Sequence, residues 1–342
     1  MNNDSNTIAQ YNACLNAGGI YLRSDRGLIE LTGADRSAWL NNLITNVITT
    51  LGSGEGNYAF ATNRQGRTVF DANILVCEDR YLLDIDKRMI KSALDHFRHF
   101  RIMEAVEWTD QTDSSCRVAL LGPKAAEVVE QLGFGKLVPM AWLQHVGGEI
   151  GGAAARMMRH DFAGVIGAEF IITGERAEAA AAEIVSAASR LDCLSVERQA
   201  VDILRIEAGI PVSVEDIDGD VIPPETGQIE RGISHHKGCY LGQEVIERMR
   251  SHGVQSRRLV GILLKEDGDL TGGFITRGTA VMADGERVGR VTSVCRSEAL
   301  AAPLCLGYVK TSFADPDHTL FVITNDGEHP ANIVALPVRR SD

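Results

Sequence analysis

Short β-rich runs separated by glycine turns fill the chain from Leu259 onward. The runs LVGILL, GTAVMADGERVGRVTSVC, LCLGYVK, LFVIT and ANIVALPV are rich in Val, Ile and Leu, and each is bounded by turn residues. Several short strands at this spacing are typical of a small all-β barrel or sandwich. The sequence therefore predicts a C-terminal all-β domain, a barrel or a sandwich, over residues 258–342.

Two blocks of alternating strands and helices precede the predicted barrel. Residues 27–98 contain a β-like run, a helix, three further β-like runs with a hairpin break at residues 63–66, and an amphipathic helix. Residues 109–196 repeat the passage from strand to helix twice, first in CRVALLGPKAAEVVEQLG and then in AEFIIT with the Ala-rich helix after it. This order favours α+β units, the second of them ferredoxin-like, with helices on one face of an antiparallel sheet.

The segment between these blocks and the barrel changes the sign of its charge. A helix ending at Gly209 leads into a long loop, and seven acids and no Lys or Arg occur from Glu207 to Glu230. Residues 231–258 are basic instead. A long loop inside a compact protein is usually functional or disordered. We assign residues 1–108 and 197–257 to one discontinuous α+β domain and residues 109–196 to a second.

Composition limits the partners. The 342 residues hold 34 Lys and Arg against 46 Asp and Glu, a net charge of −12 that disfavours nucleic acid and anionic membranes. No apolar run approaches the roughly 20 residues of a membrane span, and the N-terminus lacks the pattern of a secretory signal, so we expect a cytoplasmic protein. The seven cysteines include no CxxC pair, and His235 and His236 lack a third ligand at suitable spacing, so no metal site is expected.

The most specific string is KGCYLGQEV at residues 237–245. Its two glycines allow a tight turn that presents Cys239 and Tyr240 together. Lys237, two residues before the thiol, could lower the pKa of Cys239, as a reactive cysteine requires. The alternative is a tight turn that enters a helix at Gln243, with Cys239 buried as a small apolar side chain.

This string, followed by VQSRRLVGI, resembles the signature of the YgfZ-type folate-binding protein family, which includes factors that assist iron–sulfur cluster assembly. The upstream stretches LTGADRSAWLNNLITNV, NRQGRTVFDANILV and ILRIEAGIP resemble the wider superfamily of the glycine cleavage T-protein, an aminomethyltransferase. The four motifs occur in the family's order. The resemblance implies three domains in a ring around a central opening that admits tetrahydrofolate, two of them α+β and the last a β-barrel.

The resemblance also implies roles for single residues. Glu207 in RIEAG would bind the pterin, since a carboxylate accepts two hydrogen bonds from an aminopyrimidine edge. Asp71 would be the catalytic aspartate near the folate N10, and Cys239 a functional thiol. Further cofactor contacts are expected from Lys237, Tyr240 and Arg258, the first and last of which could pair with the glutamyl carboxylates of folate. Read without the resemblance, Glu207 is a solvated acid at a helix end and Asp71 an exposed residue of a strand.

Two differences between this sequence and the T-protein motifs bear on function. After RIEAG the chain reads GIPVSVEDID, without the tyrosine–glycine pair usual in the T-protein, whereas Cys239 and the GQE after it belong to the YgfZ-type signature. The favoured hypothesis is a tetrahydrofolate-binding protein that acts on iron–sulfur client proteins in enzyme assembly or repair. The alternative is a tetrahydrofolate-dependent aminomethyltransferase or demethylase, whose partner would be a lipoyl carrier protein. A scaffold that has lost folate binding is a third hypothesis.

Overall fold

A computed structural model of the chain describes residues 4–253, 255–265 and 275–339. The remaining residues of the predicted domains, 1–3, 254, 266–274 and 340–342, lie outside the described residues. The strands are β1 (Gly19–Leu22), β2 (Arg26–Thr32), β3 (Gly56–Thr62), β4 (Thr68–Val76), β5 (Tyr81–Asp86), β6 (Glu107–Asp110), β7 (Ser115–Leu121), β8 (His145–Ile150), β9 (Ala153–Arg159), β10 (Gly167–Thr173), β11 (Leu194–Ser195), β12 (Arg257–Leu264), β13 (Ala280–Ala283), β14 (Glu286–Ser297), β15 (Ala302–Lys310), β16 (Thr319–Thr324) and β17 (Gly327–Val334). The helices are α1 (Ser5–Asn16), α2 (Arg36–Leu43), α3 (Ile90–Phe100), α4 (Ala125–Gln131), α5 (Ala177–Arg190), α6 (Arg198–Ala208), α7 (Ile229–Gly232) and α8 (Gln243–His252).

The first unit is a five-stranded antiparallel sheet in the order β3-β4-β5-β2-β6. Residues 63–67 join β3 to β4, and the Asn63 side chain accepts hydrogen bonds from the Gln65 and Arg67 amides, which confirms the predicted hairpin. Helix α3 buries Ile90, Ala93 and Phe97 against the sheet, as its helical spacing requires. One sheet face is thereby filled by helices, and the other is free to face the second unit.

The second unit is a six-stranded sheet in the order β11-β1-β7-β10-β9-β8, with α4 and α5 packed on one face. Strand β1 pairs with β7 and β11, so residues 19–22 belong to this sheet and not to the predicted domain 1–108. This corrects the boundary. Local pattern could not reveal the pairing, because the partners Leu121 and Leu194 lie 100 or more residues away along the chain.

The third unit is a closed barrel in the order β12-β15-β14-β13-β16-β17. The predicted fold class, two α+β units followed by a C-terminal β-barrel, is confirmed. Helix α6 packs against α1, β14 and β15 and so joins the barrel to the second unit. It ends at Gly209, whose φ of 73° is the left-handed conformation that glycine adopts readily. None of the described helices is long and apolar enough to cross a membrane.

His145 joins the first two units. Its backbone amide donates to Gly54 O at 2.8 Å, and its ring lies 3.2 Å from Glu55 O through Nε2 and 2.8 Å from Arg156 through Nδ1. Since arginine can only donate, Nδ1 accepts and Nε2 carries the proton. Burial, helped by the Arg156 charge, lowers the pKa of His145 to about 4.

Acid should weaken this joint. The unfolded chain binds a proton at His145 near pH 6.5, the folded chain only near 4, so stability is fully present above pH 6.5 and is lost as the pH falls toward 4. We expect the free energy of unfolding to fall by about 2–3 kcal/mol from this residue between about pH 7 and 4.5. Urea unfolding of the wild type and His145→Gln checks this. The two chains should lose stability at different rates as the pH falls, and equal slopes would contradict the assignment.

Candidate functional site

The first two sheets, α6 and the loop after it surround one cavity. The cavity and its open mouth together enclose about 820 Å³. Its aromatic lining comes from both sheet units and consists of Tyr21, Tyr58, Trp142 and Phe162. Six arginines and four aspartates, Asp25, Asp71, Asp86 and Asp202, supply the charge. A site of this kind can hold a flat ring system and fix its polar groups.

Asp71 faces this cavity from β4. Its neighbour Phe70 points to the opposite face and lies in the core of the first unit. The Tyr58 hydroxyl donates to Asp71 Oδ2 at 2.8 Å, and the Ser213 hydroxyl donates to Oδ1. Burial raises the pKa of Asp71. Burial and the nearby Asp71 carboxylate raise the pKa of Tyr58 well above its usual value, so the phenol stays a neutral donor. The carboxylate is thus held at a fixed orientation.

Residues 210–222, which we call the acidic loop, bring Ser213 to Asp71. Asp216 anchors this loop: it pairs with Arg205 at 2.9 Å and accepts hydrogen bonds from Thr292 and Ser293 of the barrel at 2.5 and 2.8 Å. Next to Ser213, Val214 has a φ of 71°, which a β-branched residue rarely adopts. The strained backbone and the buried anchor are the local reasons why Ser213 lies where it does.

Glu207 lies outside the cavity lining and is fully buried. Its Oε1 accepts from the Ser297 hydroxyl at 2.7 Å and the Ala299 amide at 3.0 Å. Its Oε2 accepts from the Tyr11 hydroxyl at 2.8 Å and pairs with Arg339 at 2.9 Å. Both oxygens are saturated by α1, the barrel and the segment after it. Glu207 is therefore not a solvated acid but joins three parts of the fold. Its contact with the pterin stays a prediction.

Lys237 and Tyr240 also lie outside the cavity lining. The Lys237 ammonium donates to the backbone carbonyls of Asn41, Ile44 and Asn46 at 2.5, 2.6 and 2.9 Å, at and beyond the end of α2. Burial lowers the pKa of Lys237 to about 7. Tyr240 is buried with Ile233 and Ile246. Both residues hold the turn before α8 against the first unit, and their role as cofactor contacts stays a prediction.

Arg258 and Cys239 complete the predicted set. Arg258 is the second residue of β12 and donates to the Ala314 carbonyl and to Asp315, the latter at 2.7 Å. It is absent from the cavity lining, so its predicted role as a folate contact finds no support in the geometry. Cys239 is exposed, whereas Cys14, Cys77, Cys193, Cys295 and Cys305 are buried and Cys116 is half-buried. Of the predicted residues, only Asp71 lines the cavity.

Four further residues shape the site: Tyr58, Trp142, Ser213 and Arg231. Sequence reasoning did not single them out as site residues, because each comes from a different segment and the cavity forms only when the sheets pack. The acidic loop was the one available signal, since a long loop inside a compact protein is usually functional or disordered. It supplies Ser213.

Comparisons with known proteins agree with this architecture. The family model of the GCVT N-terminal domain matches residues 3–231, and that of the glycine cleavage T-protein C-terminal barrel domain matches residues 257–338. A solved structure of glycine cleavage system aminomethyltransferase T from Bartonella henselae superposes with a TM-score of 0.85 at 18% identity, over 97% of this chain and 89% of that one. That likeness shows the fold.

Curated relatives match over nearly the whole length. A probable aminomethyltransferase from Natronomonas pharaonis is 29% identical over 96% of this chain and 89% of its own length. An aminomethyltransferase from Rubrobacter xylanophilus is 27% identical over 97% of this chain and 86% of its own length. Together the two family models match both the sheet units and the barrel. The chain therefore belongs to the glycine cleavage T-protein family.

Proposed function

We propose that this chain is a tetrahydrofolate-dependent aminomethyltransferase or a closely related one-carbon transferase. The observation that carries the proposal is the Asp71 carboxylate, buried in an aromatic-lined cavity and held by two hydroxyl donors. A buried carboxylate of fixed orientation is suited to accept a proton or to stabilise a developing positive charge. The names of the relatives support this reading over an iron–sulfur assembly factor.

The residues of the cavity fit a reduced folate. A pterin is flat and polar at its edge, and the walls offer Tyr21, Tyr58, Trp142 and Phe162 for ring contact. The indole N–H of Trp142 is buried and has no hydrogen-bond partner among the described residues, which leaves a donor for a bound ligand. Tetrahydrofolate, when bound, supplies the nitrogen atoms that accept the one-carbon unit.

The chain's own residues would do three things. Tyr58 and Ser213 hold the Asp71 carboxylate in one orientation, which lowers the reorganisation needed during transfer. The ionised Asp71 would take up a proton from the reacting amine or favour its cationic form. The aromatic walls would exclude water from the reacting atoms. An aminomethyl donor carried on a lipoyl protein is the proposed second substrate.

The YgfZ-type alternative remains a second proposal because of one observation. Cys239 is exposed, in the turn that Lys237 and Tyr240 hold against the first unit. A thiol that takes part in assembling iron–sulfur client proteins must be reachable from solvent. In that case Cys239 would be needed for cellular function, and the cavity would serve only to bind the folate.

A one-carbon transfer assay distinguishes the transferase from the iron–sulfur assembly factor. Wild type and Cys239→Ala are incubated with tetrahydrofolate and a lipoyl carrier protein bearing an aminomethyl group, and the one-carbon-substituted folate is measured. For a transferase we expect turnover by both chains at the same rate, because Cys239 lies outside the cavity. No turnover by wild type, together with loss of cellular iron–sulfur enzyme activity in Cys239→Ala, would favour the assembly factor. Calorimetric titration with tetrahydrofolate checks binding in both chains.

A further inference from the structure

Arg231 differs from the other arginines of the cavity. Five of these are paired with carboxylates: Arg23 with Asp25 and Glu169, Arg26 with Asp84, Arg88 with Asp86 and Glu215, Arg198 with Asp202, and Arg205 with Asp202 and Asp216. Arg231 has no carboxylate within ion-pair distance among residues 4–253, 255–265 and 275–339. Its only side-chain hydrogen bond there goes from Nη1 to the Gln228 side chain at 3.2 Å. A half-buried cation is therefore left uncompensated in the cavity wall.

The indole ring of Trp142 fixes the direction of this cation. The Arg231 guanidinium carbon lies 4.1 Å from the Trp142 ring centroid, a stacked cation–π contact. A guanidinium stacked on a ring keeps its edge free for planar, two-pronged hydrogen bonding. The Trp142 indole N–H is itself buried and unpartnered in the described structure. An indole N–H without an acceptor thus lies beside a guanidinium without a carboxylate partner.

The surroundings of Arg231 favour an anion. Burial lowers the pKa of Arg231, and the opposing attraction from Tyr58 and Asp161 is weaker than this cost. Asp161 does not lie within ion-pair distance of Arg231, and its carboxylate pairs with Arg159 at 3.2 Å and accepts from the Gly167 amide. A buried charge without a partner is costly, and a ligand that brings the opposite charge relieves the cost.

We propose that Arg231 and Trp142 form a carboxylate-recognition subsite within the cavity. The inference rests on the proposed function, because it deepens the description of the same site. The carboxylate can come from the glutamyl group of the folate or from a small amine donor that carries its own carboxylate. In both cases the guanidinium edge binds the two oxygens, as arginine does with planar anions.

The subsite and Asp71 lie on one continuous wall. The Trp142 ring packs edge-on against Tyr58, with centroids 6.4 Å apart, and the Tyr58 hydroxyl binds Asp71. A ligand whose carboxylate binds Arg231 therefore extends across two aromatic rings toward Asp71. The wall would orient an amine or reduced pterin nitrogen at Asp71 and the acid group at Arg231.

Paired probes test the proposal by calorimetric titration of the full chain. One pair is tetrahydrofolate and 6-methyltetrahydropterin, which lacks the glutamyl carboxylates. The other is N,N-dimethylglycine and N,N-dimethylethanolamine, which lacks the carboxylate. The chains are wild type, Arg231→Gln, Arg231→Lys and, as the matched control, Arg64→Gln. Arg64 is exposed and lies outside the cavity, so its loss removes the same charge without touching the subsite.

We expect Arg231→Gln to lower the affinity for one carboxylate-bearing probe at least tenfold. Its affinity for the carboxylate-free member of the same pair should fall less than twofold. Arg231→Lys should lie between, and Arg64→Gln should match wild type. The pair that responds identifies the source of the carboxylate. Three results would overturn the subsite. Wild type and Arg231→Gln could bind both acids with equal affinity, or the substitution could weaken both members of a pair equally. Wild type could also fail to bind either acid. If wild type binds dimethylglycine but neither pterin, the proposed folate dependence fails and the subsite is still tested.

Discussion

Replacing Asp71 by asparagine should lower the rate of one-carbon transfer by about 10²–10⁴-fold, the usual effect of removing a positioned acid or base. Asparagine has nearly the same shape, so Tyr58 and Ser213 can still contact it, but it can neither carry negative charge nor accept the proton. We therefore expect tetrahydrofolate affinity to change little. Steady-state kinetics and calorimetric titration of the same preparation measure both quantities.

The pH profile gives a second readout of Asp71. Because burial raises its pKa above the ordinary value of 3.8, the transfer rate of the wild type should begin to fall at a pH higher than a solvated aspartate would give. This acid limb should be absent from the residual rate of Asp71→Asn. Asp79→Asn is a suitable control, since Asp79 is exposed on the turn before β5 and lies outside the cavity. A variant with wild-type turnover would exclude Asp71 from the chemistry.

Replacing Glu207 by alanine should cost about 3–5 kcal/mol of unfolding free energy, as removal of one partner of a buried ion pair does. The change leaves the Arg339 charge without its partner, and it removes the acceptor of the Tyr11 and Ser297 hydroxyls. Glutamine keeps two acceptor lone pairs but not the charge, so Glu207→Gln should cost less. Urea unfolding followed by circular dichroism measures both losses.

An exposed glutamate provides the comparison. Glu149→Ala, on the solvent side of β8, removes the same charge and should change stability by less than about 0.5 kcal/mol. If Glu207→Ala were equally mild, the role of Glu207 in joining α1, the barrel and the Arg339 segment would be refuted. Ligand binding lost in a Glu207 variant is informative only where the variant is shown to be folded.

Local pattern was enough for elements whose stabilising contacts lie nearby in sequence. The barrel strands, the hairpin after β3 and the end of α6 at Gly209 depend on alternation, turn residues and a left-handed glycine, all of which are local signals. Strand β1 depends on partners 96 to 175 residues away, and no local signal marks such a pairing. Its position became visible only in the folded chain.

The candidate site likewise contains residues that local sequence could predict and residues that only tertiary packing brings together. Asp71 could be found from a motif, because the strand that carries it has a recognisable sequence. Glu207 had a motif too, yet its burial among α1, the barrel and Arg339 depends on tertiary packing that composition does not encode. Arg231 and Trp142 meet from segments about 90 residues apart, and neither lies in a distinctive pattern. Pairs of this kind follow from packing geometry.

The anchoring of the acidic loop by barrel hydroxyls limits how this architecture can be recombined. Ser213 reaches Asp71 from a loop whose buried anchor, Asp216, takes two of its hydrogen bonds from Thr292 and Ser293. A chimera that received its barrel from a relative without these hydroxyls would keep every cavity residue and still lose the support of Ser213. The barrel and the acidic loop therefore have to be inherited, or engineered, as one module.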